Sequence, residues 1–239
     1  MCGRYVVSQS ADDLADEFGV DRIAVRERLE PDWNVAPSKQ VYAVLTRPPR
    51  DAPGDAGERR LVTVRWGLIP SWSKDLSIGN KLINARAESV AEKPAFRRAF
   101  ASRRCLLPAD GFYEWRGEKK GARQPFYIRP RAGSLAMAGL YEIWRDPTRP
   151  DDDPEAFVWS TVVLTTQAVD ELGEIHDRMP MLVGRDSWSA WLDPANQNAS
   201  DLQTMLTPAV PGVLDAYPVS KEVNKVTNNG PQLVEPVTL

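Results

Sequence analysis

Runs of apolar residues long enough for strands recur along the chain, separated by turn-forming polar residues. They are "KQVYAVLT" (39–46), "RRLVTVRWGL" (59–68), "RRCLLPA" (103–109), "QPFYIRP" (124–130), "SLAMAGLYEIW" (134–144) and "FVWSTVVLTT" (157–166). All but "RRCLLPA" hold several of the β-branched and aromatic residues that strands favour. Helical spacing is rarer. "SADDLADEFG" starts on a Ser10 cap, sets Leu14 and Phe18 one turn apart, and stops at Gly19. "KPAFRRAF" starts near Pro94 and pairs Phe96 with Phe100, while "GRDSWSAWLDP" and "SDLQTML" are short amphipathic pieces. Between "CLLPA" and "FYEW", Asp110-Gly111 predicts a two-residue hairpin turn. Stretches 48–58 and 145–156, rich in Pro, Gly and Asp, read as exposed excursions between strands. The pattern predicts an α+β fold in one domain over residues 1–239, with its core in about 2–230. A large, mostly antiparallel, barrel-like β-sheet forms that core, flanked by short helices.

Composition narrows the class. With 239 residues, 42% apolar and 26% charged, the chain can bury a substantial core. No apolar run approaches the roughly 18 residues of a membrane span, and the N-terminus lacks the pattern of a signal peptide. The expectation is a cytoplasmic protein with no membrane partner. Two cysteines and one histidine are too few for a structural zinc site, so no metal and no cofactor are expected. A Cys2–Cys105 disulfide is disfavoured in a reducing compartment, and Cys105, followed by Leu106 and Leu107, is expected to be a plain buried thiol. Net charge is −3, which alone argues against nucleic acid. Its distribution is lopsided: residues 1–150 carry +7 and residues 151–239 carry −10. Such asymmetry hints at a polyanion-binding surface, although halves of a sequence need not be faces of a fold.

Four segments set unusual polar residues among apolar ones: "MCGRY", "LINARAES", "ADGFYEW" and "GEIHDRMP". A small residue at position 2 permits removal of Met1, which would expose Cys2 as the N-terminus. Its α-amine, with a pKa near ~7.7–8.0, is partly unprotonated at neutral pH. Amine and thiol together can trap an aldehyde twice, as an imine and then as a five-membered thiazolidine. Otherwise Met1 stays and Cys2 is a small buried strand residue. On a strand, Phe112 and Glu114 share one face and Tyr113 and Trp115 the other. A buried Glu114 would have a raised pKa suited to proton transfer; an exposed one would be a bystander beside the turn. His176, after the short helix of "QAVDELGE", is either a proton shuttle or a structural hydrogen-bonder. Arg178 can bind a phosphate. In an extended "NARAE", Asn84, Arg86 and Glu88 fall on one side, where Asn can orient a nucleophile and Arg can clamp a phosphate. In "RWGLIPSWS", Trp66 reads as core and Trp72 as a surface on which a base can stack.

Together with "WNVAPS", "WGLIPSW", "CLLPADGFYEW", "GLYEIW", "TTQAVDELGEIHDRMP" and "NKVTNNG", these segments resemble the SRAP (SOS response-associated peptidase) family of abasic-site processing proteins over residues 1 to about 230. The resemblance implies binding of single-stranded DNA that contains abasic sites, and a covalent thiazolidine crosslink between Cys2 and the ring-opened sugar aldehyde, in the DNA-damage (SOS) response. It implies catalytic roles for Cys2, for Asn84 in orienting it, for Glu114 in proton transfer and for His176 in opening the sugar. It places DNA contacts at Arg4, Arg86 and Arg178, with Asn34, Pro37 and Trp72 along the same groove. The expected protein is a monomer, nucleoid-associated when bound to DNA. Some relatives carry a second tryptophan where this chain has Ser73. Two other readings stay open. A cysteine peptidase or amidohydrolase would use Cys2 as an N-terminal nucleophile, with Met1 removal as one of its cleavages. A passive single-stranded DNA binder would not need the thiol.

Overall fold

The computed structural model describes residues 2–48, 57–117, 123–150, 152–169, 172–206 and 212–239. In chain order the strands are β1 (Tyr5–Val7), β2 (Arg22–Ile23), β3 (Asp32–Val35), β4 (Gln40–Arg47), β5 (Glu58–Trp66), β6 (Asn84–Arg86), β7 (Arg104–Ala109), β8 (Gly111–Arg116), β9 (Gln124–Pro130), β10 (Leu135–Arg145), β11 (Phe157–Gln167), β12 (Arg178–Pro180) and β13 (Leu214–Pro218). The helices are α1 (Ala11–Phe18), α2 (Arg97–Ser102), α3 (Leu172–Ile175), α4 (Trp188–Leu192) and α5 (Ala199–Thr204).

Strands β11, β10, β7, β4 and β5 run side by side as antiparallel neighbours. A parallel pairing of β5 with β11, Trp66 opposite Thr161, closes them into a five-stranded barrel. Every residue of β7 is buried, as are the first eight of β10. One face fills the barrel; the outer face is covered where α4 packs on β7 and α2 on β10. That double cover explains why these segments read as continuous apolar runs rather than as alternations.

A second sheet, in the order β13-β9-β8-β1-β3, does alternate. Tyr5, Val7, Phe112 and Ile128 face the main core, whereas Val6, Tyr113 and Tyr127 join a small separate cluster with Val219 and Val223. Helix α1 starts and ends where the sequence predicts: Ser10 accepts from the Asp13 amide, and Gly19 adopts a left-handed φ of 60°. α2 starts later than Pro94 suggests, at Arg97, because the Lys93 carbonyl first closes a turn with the Phe96 and Arg97 amides, both at 2.9 Å. Of the two predicted excursions, 49–56 lies outside the described residues; the other joins β10 to β11 and is exposed over 147–150.

The hairpin expected at Asp110-Gly111 is not there. β7 and β8 belong to different sheets, and the dipeptide is the corner between them. The Asp110 carboxylate accepts from the Ser8 amide at 2.7 Å and the Ser8 hydroxyl at 2.6 Å, while its own amide donates to the Val6 carbonyl at 2.8 Å. The chain is thereby carried across to β1 instead of folding back. Gly111 is required for close approach: a Cβ there would stand 2.5 Å from the Ile128 carbonyl oxygen.

Candidate functional site

The late half of β11 organises one end of the barrel. On one side β6 runs parallel to it, with Asn84 opposite Val163 and Arg86 opposite Thr165. On the other side β12 runs antiparallel, with Arg178 opposite Gln167. The segment before β1 enters the same end. It extends the pairing of β1 with β8, since the Tyr113 amide donates to the Arg4 carbonyl at 2.9 Å.

Cys2 is fully buried in the main core, and its carbonyl accepts a 2.7 Å hydrogen bond from Asn84 Nδ2. The segment that precedes the first strand is thus fixed by a side chain from β6, distant in sequence. Burial pushes the Cys2 thiol well above its ordinary pKa, and the Glu114 carboxylate adds to the shift. The positive amino terminus and a hydrogen bond from the Arg4 amide pull the other way. Glu114 is only 3% exposed. Burial pushes its carboxyl up to about 7, against the pull of the amino terminus. A carboxyl poised there is proton donor and acceptor at neutral pH.

Helix α3 packs on β8 and brings His176 to this end. Burial lowers the pKa of its ring, and the amino terminus lowers it further. The Arg178 amide donates to Nδ1 at 3.0 Å. Asp177 Oδ1 lies 2.8 Å from the same Nδ1 and also raises the Glu114 pKa. Asp177 was quoted within "IHDRMP" but given no role; its adjacency to the only histidine was the available signal.

The arginines differ in placement. Arg86 is exposed at the rim. Arg178 is largely covered and forms a two-pronged pair with Glu88, at 2.7 and 2.9 Å. Arg4 is held by Asn34 Oδ1 at 2.6 Å and the Val223 carbonyl at 2.8 Å. Asn34 itself is fully buried, its amide directed at the carbonyls of Val223, Lys225 and Asn228. It therefore presents no atom to a groove and instead holds Arg4, and the segment from Val223 to Asn229 is the strap to which "MCGR" and "WNVAPS" are tied. Pro37 is half-buried beside Ser38, which adopts a left-handed φ of 76°. Trp72 is 59% exposed, outside the cluster around Cys2. Trp66 is core, its indole N–H donating to the Ile83 carbonyl at 2.9 Å. Among the described residues no group of His, Cys, Asp or Glu gathers as a metal ion would need, and no helix is long and apolar enough to cross a membrane.

Abasic site processing protein YoqW of Bacillus subtilis (strain 168) is 38% identical over 236 residues, covering 98% of this chain and 99% of that protein. Abasic site processing protein YoaM of the same organism is 39% identical, covering 98% of each. Abasic site processing protein HMCES of Gallus gallus is 28% identical over all of this chain and 79% of its own length. A crystal structure of a Bacteroides thetaiotaomicron protein shares the fold, with a TM-score of 0.82 at 24% identity over 99% of this chain and 100% of that one. The model of the SOS response associated peptidase (SRAP) family matches residues 1–226, and the chain belongs to that family.

Proposed function

We propose that this protein processes abasic sites in single-stranded DNA, with Cys2 as the group that captures the sugar aldehyde. The observation that carries the reading is the buried cluster in which Asn84 holds the Cys2 carbonyl beside a carboxyl whose pKa lies near 7. Relatives aligned over nearly the whole chain are named for abasic-site processing.

Removal of Met1 exposes the Cys2 amine. The amine adds to the aldehyde carbon, and the resulting carbinolamine loses its hydroxyl as water to leave an imine. The Cys2 sulfur then adds to the imine carbon and its proton passes to nitrogen. One water leaves and the thiazolidine closes, with no oxidant or reductant. Glu114 takes the proton from the attacking amine and returns it to the departing hydroxyl, which needs a carboxyl that is half-protonated near neutrality. His176 supplies a proton at the sugar ring oxygen as the ring opens. Asn84 fixes the nucleophile by its carbonyl and leaves amine and thiol unencumbered. Arg86 and Arg4 attract the flanking phosphates. A buried thiol with a raised pKa is a poor nucleophile toward an unactivated amide, which favours imine capture over hydrolysis of added peptides.

The test is incubation of protein with a mass-verified Cys2 N-terminus and single-stranded DNA bearing one abasic site, followed by a denaturing gel. A slow-migrating band is expected with abasic DNA alone and not with intact DNA. Its absence would refute aldehyde capture and turn attention to peptide cleavage.

A further inference from the structure

The flank of the barrel opposite the Cys2 end carries a basic groove that the proposed chemistry does not use. It occupies about 410 Å³, and Arg47 from β4, Arg98 from α2 and Arg103 line it together with Ser71, Ser102 and Tyr141. One carboxylate faces it, that of Glu142, which pairs with Arg103 at 2.8 Å. The Arg103 Nε is buried with no hydrogen-bond partner. Arg47 continues into an adjoining groove of about 260 Å³ that also holds Arg26 and Arg60. There its guanidinium lies 5.1 Å above the ring of Trp159, which stacks on Tyr141 at 5.7 Å with planes 3° apart.

Every one of these arginines comes from residues 1–150, the half of the sequence with charge +7. The folded chain thus gathers part of that excess on one face. A row of guanidinium groups, that of Arg47 over a stacked aromatic pair, with carboxylates pairing only Arg103 (Glu142) and Arg60 (Glu58) among the described residues, suits a polyanion whose charges repeat along a line. Ser71 joins the groove to exposed Trp72. Trp159 and Thr165 lie toward opposite ends of β11, about 20 Å apart at the usual rise per residue.

The geometry points to a second nucleic-acid site: Arg47, Arg98 and Arg103 bind the phosphodiester backbone of single-stranded DNA several nucleotides from the abasic site held at Cys2. This rests on the function proposed above. The ligand is the flanking backbone of the same strand rather than a free phosphate, because the arginines are spread over two connected grooves instead of converging on one point.

The test compares the second-order rate of crosslinking for abasic oligonucleotides of about 5 and about 20 nucleotides, each at two salt concentrations. The native protein should capture the longer strand several-fold faster, with the steeper salt dependence. The double variant Arg47→Gln, Arg98→Gln should lose most of that advantage, about 5- to 10-fold, and its salt slope on the longer strand should fall by about 1.4, or ~0.7 per phosphate contact. Its rate on the short strand should stay native, which also shows that it folds. Inorganic phosphate should not slow the short-strand reaction of either protein. An unchanged rate and slope on the longer strand would overturn the second site, as would an equal loss at both lengths. Crosslinking without any length advantage refutes only this inference; no crosslinking at any length refutes the function it rests on.

Discussion

The protein has two cysteines, both fully buried and both free, in regions built to different rules. Cys105 sits in the barrel wall. Gly139 is its cross-strand partner on β10, and a Cβ there would stand 2.9 Å from the Cys105 sulfur. Its hydrogen-bonding neighbour, Thr161 Oγ1 at 3.5 Å, already donates to the Leu140 carbonyl. Burial alone pushes this thiol up to about 12, with Thr161 pulling slightly back. Cys2 is as deeply buried, yet a carboxyl near neutrality acts on it and an amide grips its carbonyl, with the only histidine at the same end of the barrel. Burial raises the pKa of both thiols. What separates them is the company of titratable groups, which costs stability at the barrel end and earns its place only through chemistry.

The largest contrast is covalent. Cys2→Ala should abolish the gel-stable adduct, while Cys105→Ala should keep it at a near-native rate and lose about 1–2 kcal/mol of stability to the small cavity left, read by urea unfolding. A cooperatively folded Cys105→Ala protein that forms no adduct would break the comparison. Next comes Glu114→Gln, which should slow crosslinking by about 10²–10⁴-fold in single-turnover assays. The same variant should be more stable than the native protein at high pH. The carboxyl's pKa rises from 4.5 unfolded to about 7 folded, so its stabilising contribution is present below the unfolded value and lost as pH rises through about 7. Unfolding at about pH 8 should favour Glu114→Gln by on the order of 2–3 kcal/mol, and the gap should close toward pH 4.5. A constant gap would mean that Glu114 ionises freely. Asn84→Ala leaves the Cys2 carbonyl without its donor and should cost about 1–3 kcal/mol. It should slow capture roughly tenfold through lost orientation, with the pH profile unmoved.

The barrel wall was legible in the sequence because its signals are local. Apolar runs mark β4, β5, β7, β9, β10 and β11, and Ser10 and Gly19 bracket α1. The Cys2 end was legible only in part. Phe112 and Tyr113 fall on opposite faces of β8, as the alternation predicts, Phe112 toward the main core and Tyr113 toward the small cluster, but whether Glu114 is exposed depends on what covers it. Here the covers are the chain entering β1 and helix α3, both distant in sequence. Asp110-Gly111 has the same local chemistry in a hairpin and at a corner between sheets; Ser8 decides between them. Asn34 was placed beside the groove by its motif, and its burial follows from the C-terminal strap, which no pattern near residue 34 announces. The flank groove was invisible as a motif, since its arginines come from β4, from α2 and from the link between α2 and β7, and only their summed charge showed.

The smallest effect asks whether the polar frame around Cys2 is fixed, as the wall around Cys105 is, or built to exchange partners. Glu88 is half-exposed, so its pair with Arg178 contributes under about 1 kcal/mol to stability. Arg178 also bonds the Thr165 carbonyl at 2.5 Å, which holds it at the rim without Glu88. Glu88→Gln therefore leaves Arg178 in place and removes one opposing charge. Affinity for an undamaged single-stranded oligonucleotide should rise about two- to threefold at low salt, and the gain should vanish at high salt, where exposed charges are screened. Fluorescence anisotropy at the two salt concentrations reads both. Weaker binding at both would show that Glu88 positions Arg178 instead of competing with phosphate, making the frame as rigid as the barrel wall.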